Sequence, residues 1–415
     1  MLTRLRLINF RSHADTSIDL HPISLFIGPV ASGKSNVFKG LLLLQNSVHQ
    51  SLDELFPRDS TGDFQAVRSR WTGEAAPIGF EAEVRLPFGS PPEDRARYTV
   101  QFADSDRGPY VLEETLQTRA GEEEWEWRFR RGSPERPLRD LGDADPQELD
   151  SRARLWFGDM DPHEPTILNR VWRDDPRVQR SLEGPQIAKE VARELSRIAF
   201  HHLEASALKA PGAGEFRDRI GYDGRGLPDF IARIKSSSQT SSLYEAIRED
   251  MREILPELRD IAITRLKPGE QQLAMSLAGY RGLLAAPELS DGTMFTLGLS
   301  ASMRGLETVS LLCIEEPETG LHPGRLRWLF DRLMDLAYPP RSKLHCQVQV
   351  MLSTHSPYLV DCFGDMQQCV QVVDQSEGRT CVRALTAIQE TILHLTPEAG
   401  EPIGHLWASG LYERL

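Results

Sequence analysis

The chain has 415 residues, 40% of them hydrophobic and 26% charged, with a formal net charge of −13. That length exceeds what one core usually fills, so two or three subdomains are expected in an ordinary globular composition. The charge argues against nonspecific coating of nucleic acid by the whole surface, and no apolar run approaches the roughly 18 residues that span a bilayer.

Met1 to Arg6 lead directly into an alternating strand, with no apolar leader after them, so no signal peptide, a cytoplasmic location and no membrane partner are expected. Residues 2–10, 16–20 and 23–27 read as three short strands. The segment Gly28-Pro29-Val30-Ala31-Ser32-Gly33-Lys34-Ser35 follows and fits the phosphate-cradling pattern G-x-x-x-x-G-K-[ST]. After it Val37, Phe38, Leu41, Leu42, Leu44 and Val48 recur at helical spacing, which supplies the strand, loop and helix context that pattern requires. Ile78 to Leu86, Arg97 to Phe102, Tyr110 to Thr118 and Trp125 to Arg130 alternate and are separated by turn residues, as in an antiparallel sheet. Residues 131–165 are rich in Pro, Asp, Arg and Gly and predict a loop or mobile segment. Arg128 to Arg139 is the strongest basic stretch; a solvated loop beside Glu122, Glu123 and Glu124 explains it more simply than a polyanion site.

Residues 186–200 and 226–255 have helical periodicity, with Ile187, Val191, Leu195 and Ile198 as one stripe. Strands return at Ile261 to Leu266 and Gln272 to Leu277. A helix after Ser290, a strand at 311–315, a helix from Pro323 to Leu336 and a strand from Cys346 to Leu352 follow, and strands at 368–373 and 380–384 close the fold. The five cysteines are odd in number and form no C-x-x-C pair, which fits reduced core thiols.

The run Leu311-Leu312-Cys313-Ile314-Glu315-Glu316-Pro317 feeds four apolar residues into two carboxylates. A buried strand ending in acids places them at the carboxyl edge of a sheet, where open α/β folds bind ligands. With the glycine loop, it points to a nucleoside triphosphate and Mg²⁺. Gly28 and Gly33 would let backbone N–H groups turn toward phosphate oxygens, Lys34 would reach the outer phosphates, and the Ser35 hydroxyl would ligate the metal. Glu315 would hold the Mg²⁺ shell and Glu316 would orient or deprotonate the attacking water. Glu318 is either a third acid or a structural one. Ser290 in Leu289-Ser290-Asp291-Gly292-Thr293 is a plain helix N-cap or, with Gly292, an anion contact. His355 in Thr354-His355-Ser356-Pro357 would suit a γ-phosphate contact.

In this order the glycine loop, Leu-Ser-Asp-Gly-Thr, Ile-Glu-Glu-Pro-Glu-x-x-Leu-His-Pro and Ser-Thr-His-Ser-Pro resemble the ABC-type ATPases of the OLD/RecF/SMC-like group. The opening Leu5 to Ser12, Leu-x-Leu-x-Asn-Phe-Arg-Ser, is typical of RecF- and SMC-like heads. Gly224-Arg225-Gly226-Leu227-Pro228 is similar to the group's Gly-x-Asn-Leu-Pro segment, with Gly226 in place of Asn. The chain looks like the stand-alone AAA family ATPase branch. The resemblance implies an α/β P-loop NTPase of the ABC head type with an N-terminal antiparallel β subdomain and a helical insertion. The expected divisions are 1–60 and 260–415 for the split head, 61–165 for the β region and loop, and 166–259 for the helical insertion.

The resemblance further implies ATP and Mg²⁺ as cofactors and ATP hydrolysis between two head-to-head subunits, in a homodimer or higher homo-oligomer. Gly28, Ser32, Gly33, Lys34, Ser35 and Asn36 would bind the nucleotide. Ser35 and Glu315 would hold the metal, Glu316 and His355 would act in catalysis, and Ser290 and Gly292 would act in trans on the partner's γ-phosphate. A Mg²⁺-sensing glutamine normally follows the first helix, and Gln45 and Gln65 both qualify. No heptad array splits the head, and about sixty residues follow His355, too few for a TOPRIM nuclease. A separate effector, such as a nuclease, is therefore expected, in DNA maintenance or antiphage defence. Nucleic acid stays open as a partner, with Arg128, Arg130 and Arg131 as its weak contacts. An ATP-binding scaffold with little turnover is the alternative, and a transporter energy subunit the less favoured one.

Overall fold

The computed structural model describes the chain except residues 59, 74–75, 86–94, 121–122, 131–162, 175–184, 216, 306–307, 341–346, 393–401 and 411–415. In chain order the described strands are β1 (Leu2–Phe10), β2 (His13–Asp19), β3 (Ile23–Ile27), β4 (Ile78–Arg85), β5 (Arg95–Ser105), β6 (Gly108–Ala120), β7 (Glu123–Arg130), β8 (Ile198–His201), β9 (Leu258–Lys267), β10 (Glu270–Leu277), β11 (Leu284–Ala285), β12 (Leu311–Glu315), β13 (Gln349–Ser353), β14 (Val370–Ser376) and β15 (Arg379–Ala384). They belong to two compact units. One holds Met1–His21, Gly28–Ile198 and Gln371–Ala387; the other holds Pro22–Ile27, Ala199–Val370 and Ile388–Leu415.

The first unit contains the antiparallel sheet β2-β1-β4-β5-β6-β7. The alternating segments foreseen in residues 78–130 pair as consecutive neighbours, as strands adjacent in sequence favour. One face buries Leu5, Leu7, Phe10, Phe80 and Phe102. Phe10, Phe80 and Phe102 form a chain of tilted rings with centroids 5.5 and 6.3 Å apart. Burying each such side chain contributes about 1.5–3 kcal/mol. On the polar face Arg6 donates to Asp15 at 2.7 and 2.8 Å and Arg97 reaches Glu83 across the strands. The helix Lys34–His49 buries Val37, Phe38, Leu41, Leu44 and Val48, and a Cβ at Gly40 would lie 2.7 Å from the Leu7 side chain. The hairpin β14–β15 completes this unit.

The helix expected over 186–200 runs from Pro185 to Ser196, and Ile198 opens β8. Ile198 continues the three-to-four spacing of the stripe by accident of position, and periodicity cannot separate a helix end from a short buried strand. The Gln45 amide donates to the carbonyls of Ser196 and Ile198 at 3.2 and 2.7 Å, at the break itself.

In the second unit β3, β13 and β12 run parallel, with β8 beyond β12. β3, β12 and β13 are buried at every position, as parallel strands covered on both faces must be. β11, β10 and β9 form a separate antiparallel sheet. The helix Asp291–Arg304 is tied to Ser241–Ile254 through Asp250, 1% exposed, which accepts from Ser300 Oγ at 2.6 Å and from Arg304 at 2.8 and 3.0 Å. A buried carboxylate with that set of donors is satisfied rather than costly.

The expected fold class, an α/β P-loop fold with an N-terminal antiparallel sheet and a helical insertion, is observed. The predicted loop 131–165 lies outside the described residues up to residue 162, as do Arg131, Cys346 and the side chains of Arg128 and Arg130. Among the described cysteines, Cys313 and Cys369 are buried, whereas Cys381 is exposed, so the core-thiol expectation holds for part of the set. No helix among the described residues is long and apolar enough to cross a membrane.

Two buried histidines set a pH limit. Burial pushes His13 and His201 down to about 4, offset in part by the backbone of Gly33 and of Gly221 respectively. Their folded values lie below the unfolded value near 6.5, so both remain neutral in the fold. The stability this provides is complete above about pH 6.5 and is lost as pH falls toward 4, at up to roughly 3 kcal/mol for each residue. The urea midpoint is expected to drop between pH 7.5 and 5, before most carboxylates titrate. Equal midpoints at those two values would contradict neutral burial.

Candidate functional site

Three parallel strands end side by side in the second unit. Phe26 of β3 pairs with Ser353 of β13, and Ser353 pairs with Glu315 of β12. The ladder extends one step past each strand: Thr354 N–H donates to the Phe26 carbonyl at 3.1 Å and Glu316 N–H to the Ser353 carbonyl at 2.9 Å. The glycine loop leaves from β3, Thr354-His355 from β13 and Glu316 from β12. Adjacent carboxyl ends of parallel strands are where α/β folds place ligands.

The glycine loop is held within the first unit. Gly28 and Gly33 have φ of 152° and 107°, and Ala31 is left-handed at 66°. A Cβ at Gly28 would lie 1.9 Å from the Val373 carbonyl oxygen, and one at Gly33 would lie 2.1 Å from Thr380 Oγ1. Thr380 Oγ1 reaches the Ser32 carbonyl at 2.8 Å and Ser12 Oγ at 2.7 Å. Asn36 Nδ2 donates to the same Ser12 Oγ at 2.8 Å. Gln375 Nε2 donates to the Ala31 carbonyl at 2.7 Å. Lys34 is 6% exposed and folds back over the loop, donating to the carbonyls of Gly28 and Pro29 at 2.8 and 2.9 Å.

The two acids at the end of β12 occupy different environments. Glu315 is 9% exposed and its Oε1 accepts from the Tyr222 hydroxyl at 3.1 Å. Glu316 has a left-handed φ of 49° and a half-exposed side chain. A non-glycine residue held there stores strain of about 1–3 kcal/mol, and such strain concentrates at functional sites. His355 Nε2 stands 3.8 Å from Glu316 Oε1. Glu318 Oε1 accepts from His355 N–H at 2.7 Å. Burial raises the Glu318 pKa, opposed by the His355 N–H and the Thr354 hydroxyl. Glu318 therefore braces the backbone of the His355 segment, the structural role weighed for it in the sequence.

Ser290 caps the helix Asp291–Arg304, its Oγ accepting from Thr293 N–H at 3.2 Å. Lys209 pairs with Asp291 at 2.6 Å. A Cβ at Gly292 would lie 2.7 Å from the Gly320 carbonyl, so packing against the loop after the acids already requires glycine there. Of the two glutamines, Gln45 binds the backbone at the start of β8 and Gln65 donates to Asp104 at 3.0 Å. Among the described residues no group of three or more His, Cys, Asp or Glu side chains could hold a metal.

The family described as "AAA domain, putative AbiEii toxin, Type IV TA system" matches residues 23–361. The chain belongs to this AAA family. The AAA match begins at β3 and ends with the helix Pro357–Asp361, so it takes in the loop, both acids and His355. No curated protein matches this AAA chain. Among solved structures it is similar to an SmcHead bound to the C-winged helix domain of ScpA, 11% identical over 92% of this chain and 97% of that one, TM-score 0.48. It is also similar to the SMC head domain from Thermotoga maritima, 13% identical over 92% and 98%, TM-score 0.37. A third is the Smc head domain with an extended coiled coil bound to the C-terminal domain of ScpA, derived from Pyrococcus furiosus, 12% identical over 95% and 99%, TM-score 0.48.

The AAA loop suits a polyphosphate on its own geometry. Ser32 Oγ is buried with no hydrogen-bond partner among the described residues. The helix Lys34–His49 has Gly33 as its N-cap, no side-chain cap and no acid in its first turn. Its first-turn N–H groups and positive dipole end thus meet no carboxylate from that turn, which favours an anion. Thr380 and Tyr222 were missed in the sequence, and Ser12 was noted only as the end of the opening motif; their contacts with the loop and with Glu315 are tertiary and carry no spacing signal.

Proposed function

We propose that this AAA chain binds ATP with Mg²⁺ and hydrolyses it. The observation that carries the reading is the register Phe26–Ser353–Glu315, which sets the exits of the glycine loop, the His355 segment and Glu316 at adjacent strand ends. Gly28, Ser32, Gly33 and Asn36 shape the loop whose N–H groups take the phosphates, and Lys34 exchanges its two loop carbonyls for phosphate oxygens. Ser35 and Glu315 would hold Mg²⁺, which would supply charge neutralisation at the phosphates. Glu316 orients the attacking water and accepts its proton. His355 donates to the γ-phosphate. In this reading Glu315 serves the metal and Glu316 the water.

Ser290 and Gly292 act in trans, completing the partner's site in a head-to-head dimer. ATP then works as a switch that joins two heads and controls a separate effector, with DNA maintenance or antiphage defence as its setting. The test is the solution mass of Glu316→Gln protein with and without ATP and Mg²⁺. An ATP-dependent dimer that Ser290→Arg abolishes is expected. A mass indifferent to ATP removes the switch.

A further inference from the structure

The segment Gly221–Gly226 overlaps a motif that the reading above leaves without a task. It is a tight, internally bonded turn in the second unit. Gly221 N–H donates to the Arg225 carbonyl at 2.8 Å, Gly224 N–H to the Gly221 carbonyl at 3.0 Å, and Arg225 N–H to Asp223 Oδ1 at 3.0 Å. Gly224 and Gly226 have φ of 96° and 81°, and a Cβ at Gly224 would lie 2.5 Å from the Leu208 side chain. The turn is fastened to the stretch after β8: His202 N–H donates to the Tyr222 carbonyl at 2.8 Å and Glu204 N–H to the Asp223 carbonyl at 2.9 Å. β8 neighbours β12 in the sheet. The Tyr222 ring stacks on His202, with centroids 6.2 Å apart and planes 23° from parallel. Backbone and ring are thus both fixed, and the hydroxyl they deliver meets Glu315 Oε1 at 3.1 Å.

We propose that Tyr222 is a positioning residue for Glu315: its hydroxyl holds Oε1 and so presents Oε2 to the metal's hydration shell. The inference rests on the ATP and Mg²⁺ reading above. A carboxylate at the end of a strand rotates about its last bond, and a donor on one oxygen selects one orientation. Outer donors of this kind tune metal sites, and their removal typically costs 10–100-fold in metal affinity. The ring is half-exposed, so packing alone does not account for its placement.

The experiment measures the binding of a fluorescent ATP analogue to the full chain in Mg²⁺ and in EDTA, with the Mg²⁺ concentration for half-maximal binding read directly. Wild type is expected to bind more tightly with Mg²⁺. Tyr222→Phe keeps the ring against His202 and is expected to raise the half-maximal Mg²⁺ concentration about 10-fold or more, with affinity in EDTA unchanged. In a Glu315→Gln background the same change is expected to add less than twofold, because the hydroxyl acts through that carboxylate. An unaltered Mg²⁺ requirement in Tyr222→Phe, with loss only in Tyr222→Leu, overturns the proposal in favour of ring packing. Wild-type protein that binds no nucleotide overturns the functional reading itself, and the proposal with it.

Discussion

Glu316→Gln is expected to lower ATP turnover by about 10²–10⁴-fold, the usual range for removing a general base, while ATP binding persists. The change is nearly isosteric, and the side chain is half-exposed rather than packed. Its backbone stays anchored by the bond from Glu316 N–H to the Ser353 carbonyl, so β12 and β13 should remain in register. Loss of turnover can then be assigned to the carboxylate and not to unfolding. Phosphate release under saturating ATP and Mg²⁺ measures the first quantity, and equilibrium nucleotide binding the second. Glu315→Gln provides the contrast, since it should weaken the Mg²⁺ dependence of binding as well. If Glu316→Gln turns over at the wild-type rate, the water-activating role does not belong to that residue.

Gly28→Ala is expected to cost roughly 2–6 kcal/mol, the sum of overpacking and a non-glycine residue at positive φ. The obstacle is the backbone carbonyl of Val373, 1.9 Å from the added Cβ. Val373 is paired to Val382 within the β14–β15 hairpin and cannot swing aside as a side chain would. The loop must shift, so nucleotide binding should be lost together with stability. Gly269→Ala is the control, because it has φ of 79° and no atom within 4 Å of the added Cβ. It should show only the backbone cost of about 1–2 kcal/mol. Urea unfolding of the two variants beside wild type separates steric from conformational cost. Equal losses would mean that the Gly28–Val373 approach is unimportant.

The local chemistry was legible in the sequence wherever function is written in consecutive residues. Gly28 to Ser35 reads as a strand-to-helix junction because the short apolar run Ile23 to Ile27 precedes it and helical spacing follows it. Glu315 falls at a strand end because four apolar residues precede it and Pro317 follows. The antiparallel order of residues 78–130 was readable for a related reason, since alternation and turn residues both act over short separations. The helix end at Ser196 was not legible, because Ile198 satisfies the helical stripe as well as a strand, and only its place beside β12 selects the latter.

By itself the sequence determined that a glycine-containing loop joins a strand to a helix and that an acid ends a buried strand, because backbone freedom, side-chain chemistry and strand period are properties of neighbouring residues. Only the tertiary structure decided that β3, β13 and β12 end in register, that Thr380 and Ser12 brace the loop, and that Tyr222 bonds to Glu315 across 93 positions of chain. Those contacts join segments distant in sequence. They are set by packing and sheet pairing that satisfy buried backbone groups, for which no local spacing is a signal.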